Sequence, residues 1–199
     1  MTSTTRPLGA NISVALKARG VDVIFGIPGV HNIELYRGIE QAGITHVLAR
    51  HEQGAGFMAD GYARVTGKPG VAFVITGPGV CNIMTPIGQA YSDSVPMLVI
   101  ASCLERKHHA MGRGRLHEMR DQLAAAASVA DWARTAPDAA SAYGLIDKAL
   151  AEFSCARPRP KYIQVPIDVL GAAAAAAQRP AKHPSKPQAP TADVAAVAR

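Results

Sequence analysis

The chain has 199 residues, of which 48% are hydrophobic and 18% charged, with a net charge of +6. That is enough apolar content for one buried core, too little charge for a disordered polyelectrolyte, and too short a chain for two large domains. The positive excess lies in Glu105 to Arg120 (five basic, two acidic residues) and beyond Gly171 (four basic residues and Asp193). No aromatics are interleaved with it for base stacking, so nucleic acid is not expected as a partner.

Cys81, Cys103 and Cys155 show no C-x-x-C spacing, which argues against a disulfide framework or a zinc site. The N-terminus lacks a secretory apolar core and no apolar run reaches membrane-spanning length, so the expectation is a cytoplasmic protein with no membrane partner. In chain order, a helix is predicted from Leu8 to Arg19, stopped by Gly20, then a strand from Val21 to Phe25 entering the turn Gly26-Ile27-Pro28-Gly29. A helix over Asn32 to Ala42 ends at Gly43, and a strand covers Thr45 to Leu48. Glu52 to Val65 reads as helix, broken by Gly67, Pro69 and Gly70. Val71 to Thr76 and Met97 to Ala101 are continuous apolar runs, as strands buried on both faces should be.

Between those runs a helix fits Ile83 to Tyr91, with Pro86 acceptable only if it falls in the first turn. Cys103 to Arg120 has little periodicity and reads as a long functional loop. A helix near Asp121 to Val129, a strand at Trp132 to Thr135, a helix over Asp138 to Phe153 and a strand at Tyr162 to Val165 complete the pattern. Six strands alternating with helices predict a doubly wound α/β domain over residues 1–170: a mainly parallel six-stranded sheet with helices on both faces. Residues 171–199, with an alanine run and Pro/Lys-rich stretch, read as a linker, with the last ten residues starting a further domain.

Ligands of open α/β sheets bind at the carboxyl ends of strands, where glycine lets backbone approach closely. Three motifs stand there: Gly26-Ile27-Pro28-Gly29, Arg50-His51-Glu52-Gln53-Gly54-Ala55 and Thr76-Gly77-Pro78-Gly79-Val80-Cys81-Asn82. None is a Walker loop or a G-x-G-x-x-G fingerprint. From the residues alone, Glu52 is an acidic residue offsetting a helix dipole, Pro28 and Gly29 form a tight turn, and Asn82 is a helix cap.

In order and spacing, Phe25 to Gly29, Arg50 to Lys68, Thr76 to Asn82 and Ala90 to Met97 resemble the N-terminal, pyrimidine-binding domain of thiamine-diphosphate enzymes. The likeness, to acetolactate synthases and 2-oxo-acid decarboxylases, covers nearly all of residues 7–170. It implies that Glu52 hydrogen-bonds N1′ of the cofactor's aminopyrimidine and so activates the cofactor, and that Pro28, Gly29, Pro78 and Asn82 line the pocket. His117, where synthases carry a glutamine, becomes a candidate substrate contact beside the reading of a solvated loop histidine; the same two readings stand for His108 and His109. Cys103 replaces the family's usual glutamine, so substrate contacts there do not carry over. Within the family, Pro28 to Asn32, Leu35 to Arg37 and Leu116 to Gln122 most resemble the guanidino-2-oxopentanoate decarboxylases.

The family holds the cofactor's diphosphate and Mg2+ through a Gly-Asp-Gly motif in a separate C-terminal domain, and no such motif occurs in these 199 residues. No residue of this chain is therefore assigned to metal. The implied partners are a 2-oxo acid, and a second subunit or C-terminal domain in a homo-oligomer; the chain alone is expected to be inactive. The alternative is an inactive truncated fragment or assembly subunit that docks with intact relatives.

Overall fold

A short strand β1 (Arg6–Pro7) precedes α1 (Leu8–Ala18) in the computed structural model, which describes residues 5–178. The predicted strands then appear as β2 (Val23–Gly26), β3 (Thr45–Leu48), β4 (Gly70–Val74), β5 (Met97–Cys103), β6 (Trp132–Thr135) and β7 (Lys161–Pro166). They form one sheet in the order β3-β2-β4-β5-β7-β6, parallel at every pairing, so the doubly wound α/β expectation holds.

Strand periodicity of two explains how the central strands are buried throughout. Val71 and Phe73 of β4 and Leu98 and Ile100 of β5 point into one core; Ala72, Val74, Val99 and Ala101 point into the other. The first core is covered by α1, α2 (Ile33–Tyr36), α3 (Ile39–Ala42), α7 (Ala139–Cys155) and α8 (Ile167–Leu170). The second is covered by α4 (Glu52–Thr66), α5 (Pro78–Asp93) and α6 (Gln122–Ala127). Neighbouring strands β2 and β4 thus send their exits to opposite faces, which opens a crevice at their carboxyl ends.

Three local expectations need correction. The helix over Asn32 to Ala42 is interrupted at Arg37 and Gly38, and α1 packs so close to this break that a Cβ on Gly38 would lie 2.2 Å from the Ala10 carbonyl oxygen. The helix expected from Ile83 begins at Pro78, which leaves Pro86 in its interior rather than its first turn. An interior proline costs about 3 kcal/mol in an isolated helix. Here its ring packs into the space left by Gly56 of α4, where a Cβ would meet Pro86 Cγ at 2.3 Å. Third, the alanine run begins as structure: β8 (Ala173–Ala174) pairs antiparallel with β1, and Asn11 Nδ2 donates to the Ala174 carbonyl at 2.9 Å. The segment expected to start a further domain lies outside the described residues.

Among the described residues no helix is long and apolar enough to cross a membrane, and no three His, Cys, Asp or Glu side chains gather as a metal site.

Candidate functional site

Glu52 is the first residue of α4, placed by the His51 cap, whose Nδ1 accepts the Gln53 N–H at 3.1 Å. The α4 axis runs from the carboxyl end of the sheet, so Glu52 sits in the crevice and is only 8% exposed. Its Oε2 accepts a hydrogen bond from Asn82 Nδ2 at 2.9 Å, while Oε1 accepts none among the described residues. Asn82 is therefore not the cap its residue type suggested. The helix starts four residues earlier, behind Gly77 at φ 69°, and Asn82 reaches Glu52 from its second turn.

The glycines form the walls. A Cβ on Gly79 would lie 2.8 Å from Ile75 Cγ2 and 3.4 Å from Glu52 Oε1, and one on Gly29 would lie 2.5 Å from Ile75 Cδ1. Ile75 is thus the shared floor of the two turns. Fully buried Asn32 fixes the first turn, taking the Gly29 N–H on Oδ1 at 2.7 Å and donating to the Ile27 carbonyl at 3.2 Å. Pro28 is exposed on that turn, and Pro78 is exposed as the first residue of α5. Tyr36 closes the inner side, with its hydroxyl donating to the Phe73 carbonyl at 3.1 Å. Burial, and after it the Glu52 charge, raise the Tyr36 phenol well above its ordinary pKa, so it remains a neutral donor.

His117 does come to this crevice. It adopts φ 62°, its carbonyl oxygen lies 2.3 Å from where a Gly77 Cβ would be, and its ring meets that of His31. His108 and His109 are engaged within their own loop, with Glu105 at 3.4 Å and the Leu104 carbonyl at 2.6 Å respectively.

Four residues take no role from the sequence: His31, Tyr36 and Gln122, which stand inside segments that carry the family likeness, and Ser102. Buried Gln122 accepts the Gly77 N–H on Oε1 at 2.9 Å; its amide donates to the Ser102 carbonyl and to Tyr162 Oη, each at 2.9 Å. Ser102 Oγ in turn accepts the Thr76 N–H at 3.0 Å. This buried network holds the 76–79 turn from below. Thr76 and Gln122 also line, with Cys103, Thr135 and Gln164, a cavity of about 210 Å³ along the carboxyl ends of β5, β7 and β6. Burial, then the charge of Asp168, push the Cys103 thiol up to about 12, so no thiolate is on offer where the family's glutamine would stand.

Residues 7–125 match the family described as thiamine pyrophosphate enzyme, N-terminal TPP binding domain. The chain is 56% identical over 169 residues to the probable 2-ketoarginine decarboxylase AruI of Pseudomonas aeruginosa, which covers 82% of this chain and 30% of that protein. It is 37% identical to the acetolactate synthase large subunit of Haemophilus influenzae, over 81% of this chain and 28% of that one. To the mitochondrial acetolactate synthase catalytic subunit of Saccharomyces cerevisiae it is 34% identical, over 79% and 23%. The chain thus spans less than a third of the length of these relatives. A parallel sheet with its crevice at the β2/β4 reversal, a buried glutamate in that crevice and these matches give one conclusion: the chain belongs to the thiamine pyrophosphate enzymes, as their N-terminal, cofactor-binding domain.

Proposed function

We propose that the β2/β4 crevice holds the aminopyrimidine of thiamine diphosphate, with Glu52 as the residue that activates it, in a 2-oxo-acid decarboxylase or acetolactate-synthase-like carboligase. The observation that carries this reading is the division of labour on one buried carboxylate: Oε2 is committed to Asn82 and Oε1 is left for a ligand. Gly29 and Gly79 let both turns close on Ile75 beside that carboxylate, since a Cβ on either would meet the Ile75 side chain.

When bound, thiamine diphosphate supplies the carbon nucleophile and electron sink for cleavage or formation of a bond at a 2-oxo carbon. Glu52 would be the residue that hydrogen-bonds the ring through Oε1 and holds or returns its proton. Asn82 keeps the carboxylate in one orientation, so that a single oxygen faces the ring. Pro28, Gly29 and Pro78 line the approach, and Tyr36 shields the inner side without charge. The 56% identity to a probable 2-ketoarginine decarboxylase favours decarboxylation of a 2-oxo acid of that class.

The diphosphate and its Mg2+ belong, on this reading, to a separate diphosphate-binding domain facing the crevice. Val30 at 72% and Leu48 at 55% exposed, at the same end of the sheet, offer apolar surface for that contact and for association of copies. The test is Glu52→Gln in the holoenzyme. It should lower C2 hydrogen–deuterium exchange of bound cofactor by about 10²–10⁴-fold, the usual worth of a positioned acid or base, while the fold and cofactor affinity persist. Wild-type exchange in that variant would overturn the reading.

A further inference from the structure

The pairing of β2 with β4 ends at Gly26↔Phe73, one residue short of the pairing of β4 with β5, which runs to Val74↔Ala101. The crevice opens at that point. Tyr36, the last residue of α2, sits in the opening and donates its hydroxyl to the Phe73 carbonyl at 3.1 Å. The backbone of β2 is shaped around this bond, since a Cβ on Gly26 would lie 2.2 Å from the Phe73 carbonyl oxygen and 2.4 Å from Tyr36 Oη. Gly26 is not among the positive-φ glycines, so close approach rather than backbone conformation is what requires it.

The phenol ring is held from both flanking strands. It meets His46 of β3 edge to face with centroids 5.0 Å apart, and Phe73 of β4 at 5.7 Å. His46 Nε2 in turn lies 3.3 Å from the Gly26 carbonyl oxygen, which also accepts the Ala49 N–H at 3.1 Å. Tyr36 therefore touches β2, β3 and β4 close to the place where they part. Packing alone would be met by phenylalanine, and the hydroxyl adds a polar group that needs a partner. Burial, then the charge of Glu52, keep the phenol protonated, so the donor persists beside that carboxylate.

We propose that Tyr36 is a positioning residue for the cofactor site: its hydroxyl, wedged between β2 and β4, fixes the Gly26–Gly29 turn against Ile75 and Glu52 before any ligand arrives. This rests on the reading of the crevice as the aminopyrimidine site and adds the element that keeps it open. The turn starts at Gly26 and its floor residue Ile75 follows Phe73 by two positions, so one bond from Tyr36 to Phe73 sets the spacing of turn and floor. Without the hydroxyl the two strand ends are free to shift. The open arrangement then becomes one of several, and apparent cofactor affinity falls with the fraction of molecules that hold it. Tyr36 neither gives nor takes a proton in the reaction.

The test is Tyr36→Phe in the full-length enzyme, which keeps the ring and its contacts with His46 and Phe73. In the cofactor-free enzyme the Gly29 N–H is bonded to Asn32 Oδ1 and the Asn32 N–H to the Gly29 carbonyl. The peptide spanning residues 26–32 should exchange with deuterium about 5–10-fold faster in the variant, the worth of one net hydrogen bond, and the thiamine diphosphate Kd should rise by about the same factor. At saturating cofactor, kcat and C2 exchange should return to the wild-type values. Tyr143→Phe is the control: it removes a hydroxyl donated at 2.8 Å to the Ala175 carbonyl, between α7 and the segment after β8, and should leave all of these unchanged. Wild-type peptide exchange and Kd in Tyr36→Phe overturn the wedge. An equal loss of affinity in Tyr143→Phe also overturns it, by making the effect one of general stability. So does C2 exchange that stays low at saturation, which would put Tyr36 on the proton path. The peptide exchange is read without cofactor, whereas the Glu52 reading fails on C2 exchange in Glu52→Gln, so the two failures are distinct.

Discussion

Replacing Gln122 by leucine removes one side chain of similar volume and tests whether the buried network holds the turn beside Glu52. The buried Gly77 N–H loses its only acceptor among the described residues, and the Ser102 carbonyl and Tyr162 hydroxyl each lose a donor. Orphaning a buried N–H costs about 1–3 kcal/mol and each further lost bond about 1 kcal/mol, part of it recovered by burying leucine, so the net loss should be about 2–4 kcal/mol. For a domain of this size, 1 kcal/mol moves Tm by roughly 2–4 °C, which places the variant about 4–16 °C below wild type. Urea unfolding should show a lower midpoint with an unchanged slope, since the surface exposed on unfolding is the same. Thiamine diphosphate affinity of the holoenzyme should fall as well, because Gly77, at φ 69°, leads directly into Pro78 and Gly79. A variant within about 0.5 kcal/mol of wild type, the range of a neutral surface change, would refute the claim that Gln122 holds this turn.

Gly56→Ala should destabilise the domain by about 1–3 kcal/mol in urea titration despite the better helix propensity of alanine, because the new Cβ would sit 2.3 Å from Pro86 Cγ; a stabilised variant would mean that α4 and α5 can separate freely. A thiol reagent should label exposed Cys81 first and Cys103 only on unfolding, since the latter is buried with its thiol pushed up to about 12; early labelling of Cys103 in peptide mapping would contradict this. Asp22 and His31 are two of the groups through which stability should fall on acidification. Hydrogen bonds from Lys68 and Lys17 lower Asp22 from its ordinary 3.8 to about 2, so its contribution is complete above 3.8 and disappears as pH falls through 2. His31, depressed below its ordinary 6.5, contributes fully above that value and loses its contribution as pH drops below it. Asp22→Asn should flatten the lower limb of the stability profile and His31→Gln the upper one; unaltered profiles would show that neither group is linked to folding.

The sheet was legible because its strands are either buried on both faces or bounded by turn residues. Val71 to Val74 and Met97 to Ala101 could satisfy an unbroken apolar run only in the middle of a parallel sheet, and both lie there with every residue buried. What was misread depends on distant neighbours. Gly38 is a locally weak helix residue, but why glycine stands there depends on α1, which leaves no room for a Cβ at that point. Nothing local permits Pro86 in mid-helix, and the permission comes from a glycine in the adjoining helix. Likewise, an alanine run carries no pattern of its own, and β8 exists because β1 offers it an edge.

The same distinction runs through the site. Glu52, Pro28, Gly29, Pro78 and Asn82 are gathered at one crevice because each belongs to a motif directly after a strand or at a helix start, and parallel winding brings those ends to one edge of the sheet. Gln122 reads as an ordinary helix-opening residue, and only the path of the loop after β5 carries it under Gly77, 45 residues away in sequence. His31 is adjacent to a motif already recognised, yet its chemistry depends on a partner that the same loop delivers. The loop after β5 is therefore more than a connection between β5 and α6. It sets Gln122, at the start of α6, under one glycine turn and carries the His117 imidazole against His31, which follows the other, so a change in that loop should alter the seating of both turns even though Glu52 and its nearest neighbours are untouched.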